Sequence, residues 1–183
     1  MKTITVPSRE EVSTVNQGIF DNLKAGLGFV PNLYATIGKS QFALQSYLNL
    51  QNSKSSLNGK EREAINLVVS QFNQCKYCLS AHTALGKMKG FSDQEIIEIR
   101  KGNDNFNPKL KSLTRLIKAV MESKGKPDSS VVKNFFNSGY TEENLIDAIV
   151  IVGDKIISNY IHGITQVPID FPLAPEIEKQ NLN

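Results

Sequence analysis

The only two cysteines of the chain, Cys75 and Cys78, lie three residues apart, and His82 follows the second cysteine by four residues. On a helix, residues at these positions lie on nearly the same face, so the three side chains would project together. A thiolate is a much better nucleophile than a thiol, and a neighbouring base that accepts the thiol proton raises the thiolate fraction. The spacing therefore predicts a redox-active dithiol with a base beside it.

A dithiol at this spacing can complete a redox cycle. Attack of a thiolate on a peroxide oxygen leaves a sulfenic acid, which excess oxidant converts to irreversible products. A second cysteine one helical turn away traps the sulfenic acid as a disulfide, and another dithiol can then reduce that disulfide. The pair Cys75 and Cys78 has the spacing that such a cycle needs.

Glu63 is the candidate carboxylate that would orient the base, but its role requires a turn in the chain. Twelve residues of unbroken helix would separate Glu63 from Cys75 by roughly 18 Å, at about 1.5 Å per residue. The polar stretch after Phe72, which includes Asn73, favours a turn at that point. Such a turn would also place both cysteines in the first turn of a new helix, where free backbone N–H groups stabilise a thiolate.

The elements that position these residues are predicted to be helices, because apolar residues recur at helical spacing and strand patterns are almost absent. Capping boxes, prolines and helix-ending glycines mark most of the boundaries. We predict an all-α fold, a compact bundle of about seven to nine helices. In chain order these helices run from the Ser8 and Glu11 capping box to about Gly26, at Pro31, from Ser40 to Leu50, from Lys60 to about Asn73, from Cys75 to Gly90, from Ser92 to Gly102, from Pro108 to about Gly125, from Pro127 to Asn137, and from Thr141 to about His162.

The domain organisation is predicted to be simple. A chain of 183 residues has the size of one globular domain, so residues 1–183 are assigned to a single all-helical domain. Three prolines predict an extended tail from about residue 168, packed on a neighbouring chain or on its own surface. The segments that begin at Gly90 and Gly139 are similar, which indicates either an internal helical repeat or two helices capped in the same way.

Composition excludes several classes of partner. The formal net charge is +3 and the charges are well mixed, so no basic stripe indicates binding to nucleic acid. The N-terminus lacks the apolar segment of a secretory signal, and no apolar run is long enough to span a bilayer. We therefore expect a cytoplasmic protein without membrane contact. In a reducing compartment, a close cysteine pair is more often redox-active or metal-binding than a structural disulfide.

Glu63, the segment Cys75-Lys76-Tyr77-Cys78 and His82 together resemble the Glu, Cys-x-x-Cys, His signature of the alkyl hydroperoxidase D branch of the carboxymuconolactone decarboxylase superfamily. The segments GFVPNLYATIG and NYIHGITQVPIDFP are similar to the peroxidase-related members. The resemblance implies an alkyl hydroperoxidase D-like helical fold. It also implies a peroxiredoxin-like oxidoreductase, a thiol-dependent peroxidase that reduces hydroperoxides through a dithiol–disulfide cycle.

Position within that signature implies the roles of the residues. Cys78 would be the peroxidatic thiol and Cys75 the resolving thiol, with Glu63 and His82 as a proton relay. The implied partners are a hydroperoxide substrate, a dithiol reductant or lipoyl-type redox partner protein, and further copies of the chain in a trimer or hexamer. We expect no bound cofactor or metal. Tyr77 departs from the pattern, since family members can carry a second histidine there, and the decarboxylase members lack the dithiol.

Other interpretations of the cysteine pair stay open at this point. The cysteines could be small buried hydrophobic residues, or Cys75, Cys78 and His82 could bind structural zinc with His162 as the fourth ligand. The alternative function is that of a non-catalytic helical module whose dithiol is a zinc site or a redox sensor. Covalent haem attachment would need a histidine directly after Cys78, and a thioredoxin-like site would need a βαβ setting, so neither fits.

The late helix, LIDAIVIVGDKIISNYIHGI, is apolar on most of its faces. A surface helix of a monomer normally carries polar residues over about half of its circumference. The pattern is typical of a helix at an oligomer interface, and equally of a helix at the centre of a core.

Overall fold

The computed structural model describes residues 4–102 and 104–177. These residues form nine α-helices and one short 3-10 turn with no β-strand among them, which confirms the all-α prediction. No helix in these ranges is both long enough and apolar enough to cross a bilayer. The helices are α1 (Thr14–Leu27), α2 (Asn32–Ile37), α3 (Ala43–Gln51), α4 (Gly59–Phe72), α5 (Lys76–Met88), α6 (Asp93–Lys101), α7 (Pro108–Ser123), α8 (Ser129–Asn137) and α9 (Glu142–Thr165).

Capped starts explain why several helices begin where they do. Asn58 caps α4, and its side chain accepts the N–H of Glu61 at 3.0 Å. Ser92 caps α6 in the same way, with the Glu95 N–H as donor at 3.2 Å. Each glutamate carboxylate in turn accepts the backbone N–H of its cap residue, so two backbone donors that the helix cannot satisfy are paired.

The first helix begins later than the sequence predicts. The Ser8 N–H does donate to the Glu11 carboxylate, at 2.7 Å, but the pair encloses only the short turn Arg9–Glu11. The backbone of Val12 is extended and its side chain is buried, so the chain straightens there to reach the core. Helix α1 starts anew after Ser13, whose hydroxyl caps it.

Helix α4 lies at the centre of the molecule and packs against α5, α6, α7 and α9. Its residues 63–70 are all buried. One apolar cluster joins α4 to α6, α7, α8 and α9, and includes Leu113 and Leu116. A second cluster is built on α1, α2 and α3, and it includes both Cys75 and Cys78. The dithiol is therefore part of the core.

Residues 166–177, the described part of the segment after α9, form no helix and pack on the same chain. The Asp170 carboxylate accepts the backbone N–H of Asn32 at 2.6 Å, at the start of α2. Farther along, the Ala174 N–H donates to the hydroxyl of Ser80 at 3.1 Å, on α5. These contacts hold the tail against α2 and against α5.

Candidate active site

The dithiol follows a turn between α4 and α5. Helix α4 ends at Phe72, and Gln74 then adopts the left-handed backbone conformation with φ 53°. This geometry lets the Cys75 N–H donate to the Ser70 carbonyl at 3.0 Å and makes Cys75 the N-cap residue of α5. The turn that the position of the candidate carboxylate requires is thus present, and α4 and α5 pack side by side.

The two thiols are buried and face each other, with 2.8 Å between their Sγ atoms. The Cys75 thiol donates to the Cys78 sulfur, and this hydrogen bond lowers the pKa of Cys78 although burial opposes ionisation. The positive charge of Lys155 and the polar side chains of Asn159 and Ser158 on α9 also favour the Cys78 thiolate and lower its pKa. The same thiol–thiol hydrogen bond, together with burial, raises the pKa of Cys75. Cys78 is therefore the cysteine that ionises first.

Glu63 and His82 form a hydrogen-bonded pair between α4 and α5, with 2.7 Å between Glu63 Oε2 and His82 Nδ1. Burial opposes the ionisation of Glu63, but its contact with His82 and the charge of Lys155 lower its pKa overall. Burial and the same lysine lower the pKa of His82 more than Glu63 raises it. An ionised carboxylate only accepts hydrogen bonds, so Nδ1 carries the proton and Nε2 is a free base.

A cavity of 540 Å³ opens beside these groups. Cys78, Glu63 and His82 line it, whereas Cys75 lies outside the lining. The cysteine that ionises first is thus also the one that faces the cavity. Most of the remaining wall is apolar or aromatic, and includes Leu33, Tyr34, Tyr47, Leu85, Ile151 and Phe171.

Helix α9 contributes polar groups that the sequence analysis did not assign to the site. Asp154, Lys155, Ser158 and Asn159 are all buried, and the first three line the cavity. An aspartate and a lysine in the middle of an otherwise apolar helix are the pattern that could have identified them. Buried ionisable groups are costly and cluster at functional sites.

Tyr77 and His162 pack against each other, with ring centroids 5.1 Å apart. The Tyr77 hydroxyl accepts the Leu33 N–H at 3.2 Å, and burial raises the pKa of Tyr77, so its position suits a cavity wall better than a proton relay. Nε2 of His162 lies 3.1 Å from the Val167 carbonyl, which makes it the donor to that oxygen. Within residues 4–102 and 104–177, no group of three or more His, Cys, Asp or Glu side chains is arranged to hold a metal ion.

The family model described as the carboxymuconolactone decarboxylase family matches residues 40–106, which contain Glu63, both cysteines and His82. The uncharacterized protein YdfG of Bacillus subtilis (strain 168) is 30% identical over 103 residues, which cover 54% of this chain and 69% of that protein. The chain belongs to the carboxymuconolactone decarboxylase family.

Solved structures share the fold of this carboxymuconolactone decarboxylase family member. A peroxidase-related protein from Silicibacter sp. TM1040 has a TM-score of 0.78 at 19% identity, over 94% of this chain and 93% of that one. An uncharacterized peroxidase-related protein from Ralstonia eutropha JMP134, described as an alkylhydroperoxidase AhpD core, has a TM-score of 0.80 at 18% identity, over 90% of this chain and 91% of that one. The debrominase Bmp8, in complex with 2,3,4-tribromopyrrole, has a TM-score of 0.76 at 16% identity, over 93% of this chain and 92% of that one. At these identities the likeness establishes the fold alone.

Proposed function

We propose that this family member is a thiol-dependent peroxidase that reduces hydroperoxides through a Cys75–Cys78 dithiol–disulfide cycle. The observation that carries the proposal is that Cys78, the thiol that ionises first, lines a cavity that Glu63 and His82 also line. The Cys75 sulfur lies 2.8 Å from the Cys78 sulfur. A nucleophile, a base with its orienting carboxylate and a resolving thiol are therefore assembled in one site.

The first step of the proposed cycle oxidises Cys78. Its thiol proton passes to Nε2 of His82, and the thiolate attacks one oxygen of the hydroperoxide. A sulfur–oxygen bond forms while the oxygen–oxygen bond breaks, and the leaving alkoxide takes the proton from His82 to become an alcohol. Glu63 keeps His82 in the tautomer that can accept and return this proton.

The second step converts the Cys78 sulfenic acid to a disulfide before it can be oxidised further. The Cys75 thiol attacks the sulfur of the Cys78 sulfenic acid, so a disulfide forms and water leaves. An external dithiol then reduces the disulfide to two thiols and is itself oxidised. We propose a dithiol reductant or a lipoyl-type group on a partner protein as this donor.

The cavity supports an organic hydroperoxide as the substrate. Hydrogen peroxide would occupy a small part of 540 Å³, whereas side chains such as Leu33, Ile151 and Phe171 would remove an organic substituent from water. The apolar wall therefore gives a bulky, apolar hydroperoxide a binding advantage that a small polar oxidant lacks.

We also propose that the chain forms a homo-oligomer, a trimer or a hexamer. The support for it is a row of exposed apolar side chains along one face of α9, and exposed apolar surfaces of this extent are typical of interaction sites. The members of this row are Ile146, Ile149, Val150, Ile157, Tyr160 and Ile164.

Peroxide turnover by the full-length protein tests the proposed function. The assay pairs hydrogen peroxide, tert-butyl hydroperoxide and cumene hydroperoxide with dithiothreitol or dihydrolipoamide as reductant. We expect the wild type to reduce cumene hydroperoxide and Cys78→Ser to be inactive. Cys75→Ser should be oxidised once and then stop, with sulfenic or overoxidised Cys78 detected by mass spectrometry. As a control, Lys76→Ser changes an exposed residue between the two cysteines and should retain turnover.

Three results would contradict the proposed function. Turnover that survives in Cys78→Ser would remove the nucleophile from the mechanism. Oxidation that appears first on Cys75 would reverse the two roles. Stoichiometric zinc bound by both cysteines in freshly purified protein would favour the non-catalytic alternative.

A further inference from the structure

Lys155 is the least expected group in the cavity, because it is a lysine in the core. It is 1% exposed, and it lines the cavity together with Cys78 and His82. Among the described residues, Asp154 is the only one whose carboxylate lies within 4.0 Å of the Lys155 Nζ, and the 3.7 Å between Nζ and Asp154 Oδ2 exceeds hydrogen-bond length. The other oxygen, Asp154 Oδ1, is buried without a hydrogen-bond partner in the described part of the chain.

An ammonium group carries three N–H donors, and burying it without acceptors is costly. The other cation in the cavity lining is committed elsewhere, since Arg62 donates to the carbonyls of Gln51 and Ser53 at 2.7 and 3.1 Å. Of the two cations that line the cavity in the described part of the chain, Lys155 is the one without such carbonyl contacts, so its donors are available to a bound molecule. An ammonium group that lines the same cavity as the nucleophile is placed to donate to a substrate oxygen.

The position of Lys155 relative to the dithiol follows from its helix. Ser158 lies one helical turn after Lys155 on the same face of α9, and both residues line the cavity together with Cys78. Helix α9 packs against both α4 and α5, so the ammonium, the thiol and the Glu63–His82 pair border one space.

We propose that Lys155 is a further catalytic residue: its ammonium group binds the peroxide oxygen that leaves when Cys78 attacks, and it stabilises the negative charge that forms there. Asp154 holds Lys155 in place as a positioning residue. The inference rests on the proposed function. It adds to the proposed site a cation that binds the peroxide oxygen. This cation lies on α9, whereas Glu63 lies on α4 and the Cys-x-x-Cys segment lies at the start of α5.

The chemistry of the step remains balanced with Lys155 included. The Cys78 thiolate supplies an electron pair to one peroxide oxygen, and the oxygen–oxygen bond breaks toward the other oxygen, which becomes an alkoxide. Lys155 donates a hydrogen bond to that alkoxide, while the proton that neutralises it comes from His82. Lys155 therefore undergoes no net change, and its contribution is largest when the charge is largest.

Other titratable and charged side chains surround Cys78, and their ionisation must be known before a pH dependence is assigned to Cys78. They are Glu63 and Arg62 on α4, Cys75 at the N-cap of α5, Tyr77 and His82 on α5, Asp154 and Lys155 on α9, and the buried Tyr34 on α2 and Tyr47 on α3. Burial raises the pKa of Tyr77, so its hydroxyl stays neutral. Burial raises the pKa of Tyr34 to about 12 and that of Tyr47 well above its usual value, so both tyrosines stay neutral over the pH range of the experiment.

The decisive experiment separates thiolate formation from attack by the thiolate. It uses the Cys75→Ser protein, in which Cys78 is the only thiol and a serine hydroxyl can still donate to it. The rate of alkylation by iodoacetamide against pH gives the ionised fraction of Cys78. Single-turnover oxidation by cumene hydroperoxide, divided by that fraction, gives the rate constant per thiolate.

Adding Lys155→Met to this protein should move the alkylation midpoint to higher pH and lower the rate constant per thiolate about 100-fold, the usual effect of losing one donor to a developing oxyanion. Lys155→Ala should be partly rescued by methylammonium in the oxidation assay. Lys76→Met, at a side chain that is 76% exposed, is the matched control and should change neither quantity.

An unchanged rate constant per thiolate in Lys155→Met would overturn the inference, even if the alkylation midpoint moves, because Lys155 would then act on Cys78 alone. If Lys155→Met fails to fold, Asp154→Asn combined with Lys155→Met removes both buried charges and gives the same two measurements. A Cys75→Ser protein that cumene hydroperoxide does not oxidise, with Lys155 intact, would overturn the proposed function and this inference with it.

Discussion

Helix α9 differs from an ordinary surface helix on both faces, because buried polar residues lie on its inward face and exposed apolar residues lie on its outward face. The inward face carries the buried polar residues Asp154, Lys155, Ser158 and Asn159 after a first part that packs apolar residues, including Ile151, into the core. The outward face carries apolar side chains such as Ile164, which is 77% exposed. Packing alone would place the apolar residues inside and the charges outside.

Each face therefore needs its own explanation. The inward face buries charged residues in its middle turns, and the charge of Lys155 acts on the Cys78 thiol and on the Glu63–His82 pair, as is typical of functional sites. The outward face runs the length of the helix and includes Gly153, where an added side-chain carbon would meet no other atom. Such a surface is typical of a face that another chain covers. The comparison predicts that the two faces can be disrupted independently.

The largest effect is expected on assembly. Ile157→Glu combined with Ile164→Glu places two charges on the outward face, where an apolar contact would have to bury them. We expect the wild type to be an oligomer by light scattering and the double variant to be a monomer with an unchanged Cys78 alkylation profile. Leu173→Glu is the matched control, since Leu173 is 74% exposed and lies outside α9.

A wild type that is monomeric at micromolar concentration would contradict this prediction. So would a double variant that keeps the mass of the wild type. Either result would leave the apolar row on α9 as ordinary surface.

A large effect on rate is expected at the inward face. Glu63→Gln retains an oxygen that can accept the His82 Nδ1–H but removes the negative charge that raises the basicity of His82. General acid–base catalysis contributes about 100-fold or more, so we expect turnover of cumene hydroperoxide to fall by about that factor. Glu61→Gln, two residues earlier on α4, is the control and should stay near the wild-type rate. Equal rates for wild type and Glu63→Gln would exclude Glu63 from the relay.

A moderate effect on stability is expected at Asn159, which links the inward face to the turn before the dithiol. Its Oδ1 accepts the Asn73 amide at 2.9 Å, and its Nδ2 donates to the Ser70 hydroxyl at 3.4 Å. Asn159→Ala would leave these partners unsatisfied, so we expect a loss of about 2 kcal/mol in the free energy of unfolding by urea. The exposed Asn134→Ala should change it by less than about 0.5 kcal/mol.

Asn159→Ala should also move the Cys78 alkylation midpoint upward, because Asn159 helps to lower the pKa of Cys78. A loss of stability with an unmoved midpoint would mean that Asn159 supports the turn and does not act on the thiol.

The sequence predicted the local parts of this arrangement. Caps such as Ser92 with Glu95 identify helix starts from residues three positions apart, and both partners lie within one turn of helix. The contact between Glu63 and His82 could also be predicted. An unbroken helix would hold Glu63 too far from Cys75, so a turn after Phe72 was required, and this turn brings α4 and α5 together.

Features that depend on contacts between residues far apart in the sequence could not be predicted in the same way. A helix that is apolar on most faces has no strong period, so the sequence does not indicate which side of α9 is buried or that Lys155 faces the cavity. The tail is a second example. Phe171 reaches the cavity through contacts between residues more than 90 positions apart, such as the hydrogen bond from Ala174 to Ser80, and no local pattern encodes these contacts.

A smaller effect is expected from the hydrogen bond between the thiols. In wild type and in Cys75→Ser, a donor to the Cys78 sulfur lowers the pKa of Cys78, so alkylation should reach its plateau at a lower pH than for a free cysteine. Cys75→Ala removes that donor, and we expect the midpoint to move to higher pH than in Cys75→Ser. Identical midpoints in the two variants would mean that Lys155 and the inward face of α9 set the ionisation of Cys78 by themselves.

The smallest effect is expected at the turn that presents the dithiol to the inward face. Gln74 has φ 53°, a conformation that costs a non-glycine residue about 1 kcal/mol. Gln74→Gly relieves this cost but gives the unfolded chain more freedom, so we expect a net gain of about 0.5 kcal/mol by urea unfolding. Lys124→Gly, at φ 55° after α7, should give a similar gain far from the site. If Gln74→Gly alone lowers the rate constant per thiolate, the strained turn positions Cys78 toward α9; if both variants are equally active, the turn serves only to connect α4 and α5.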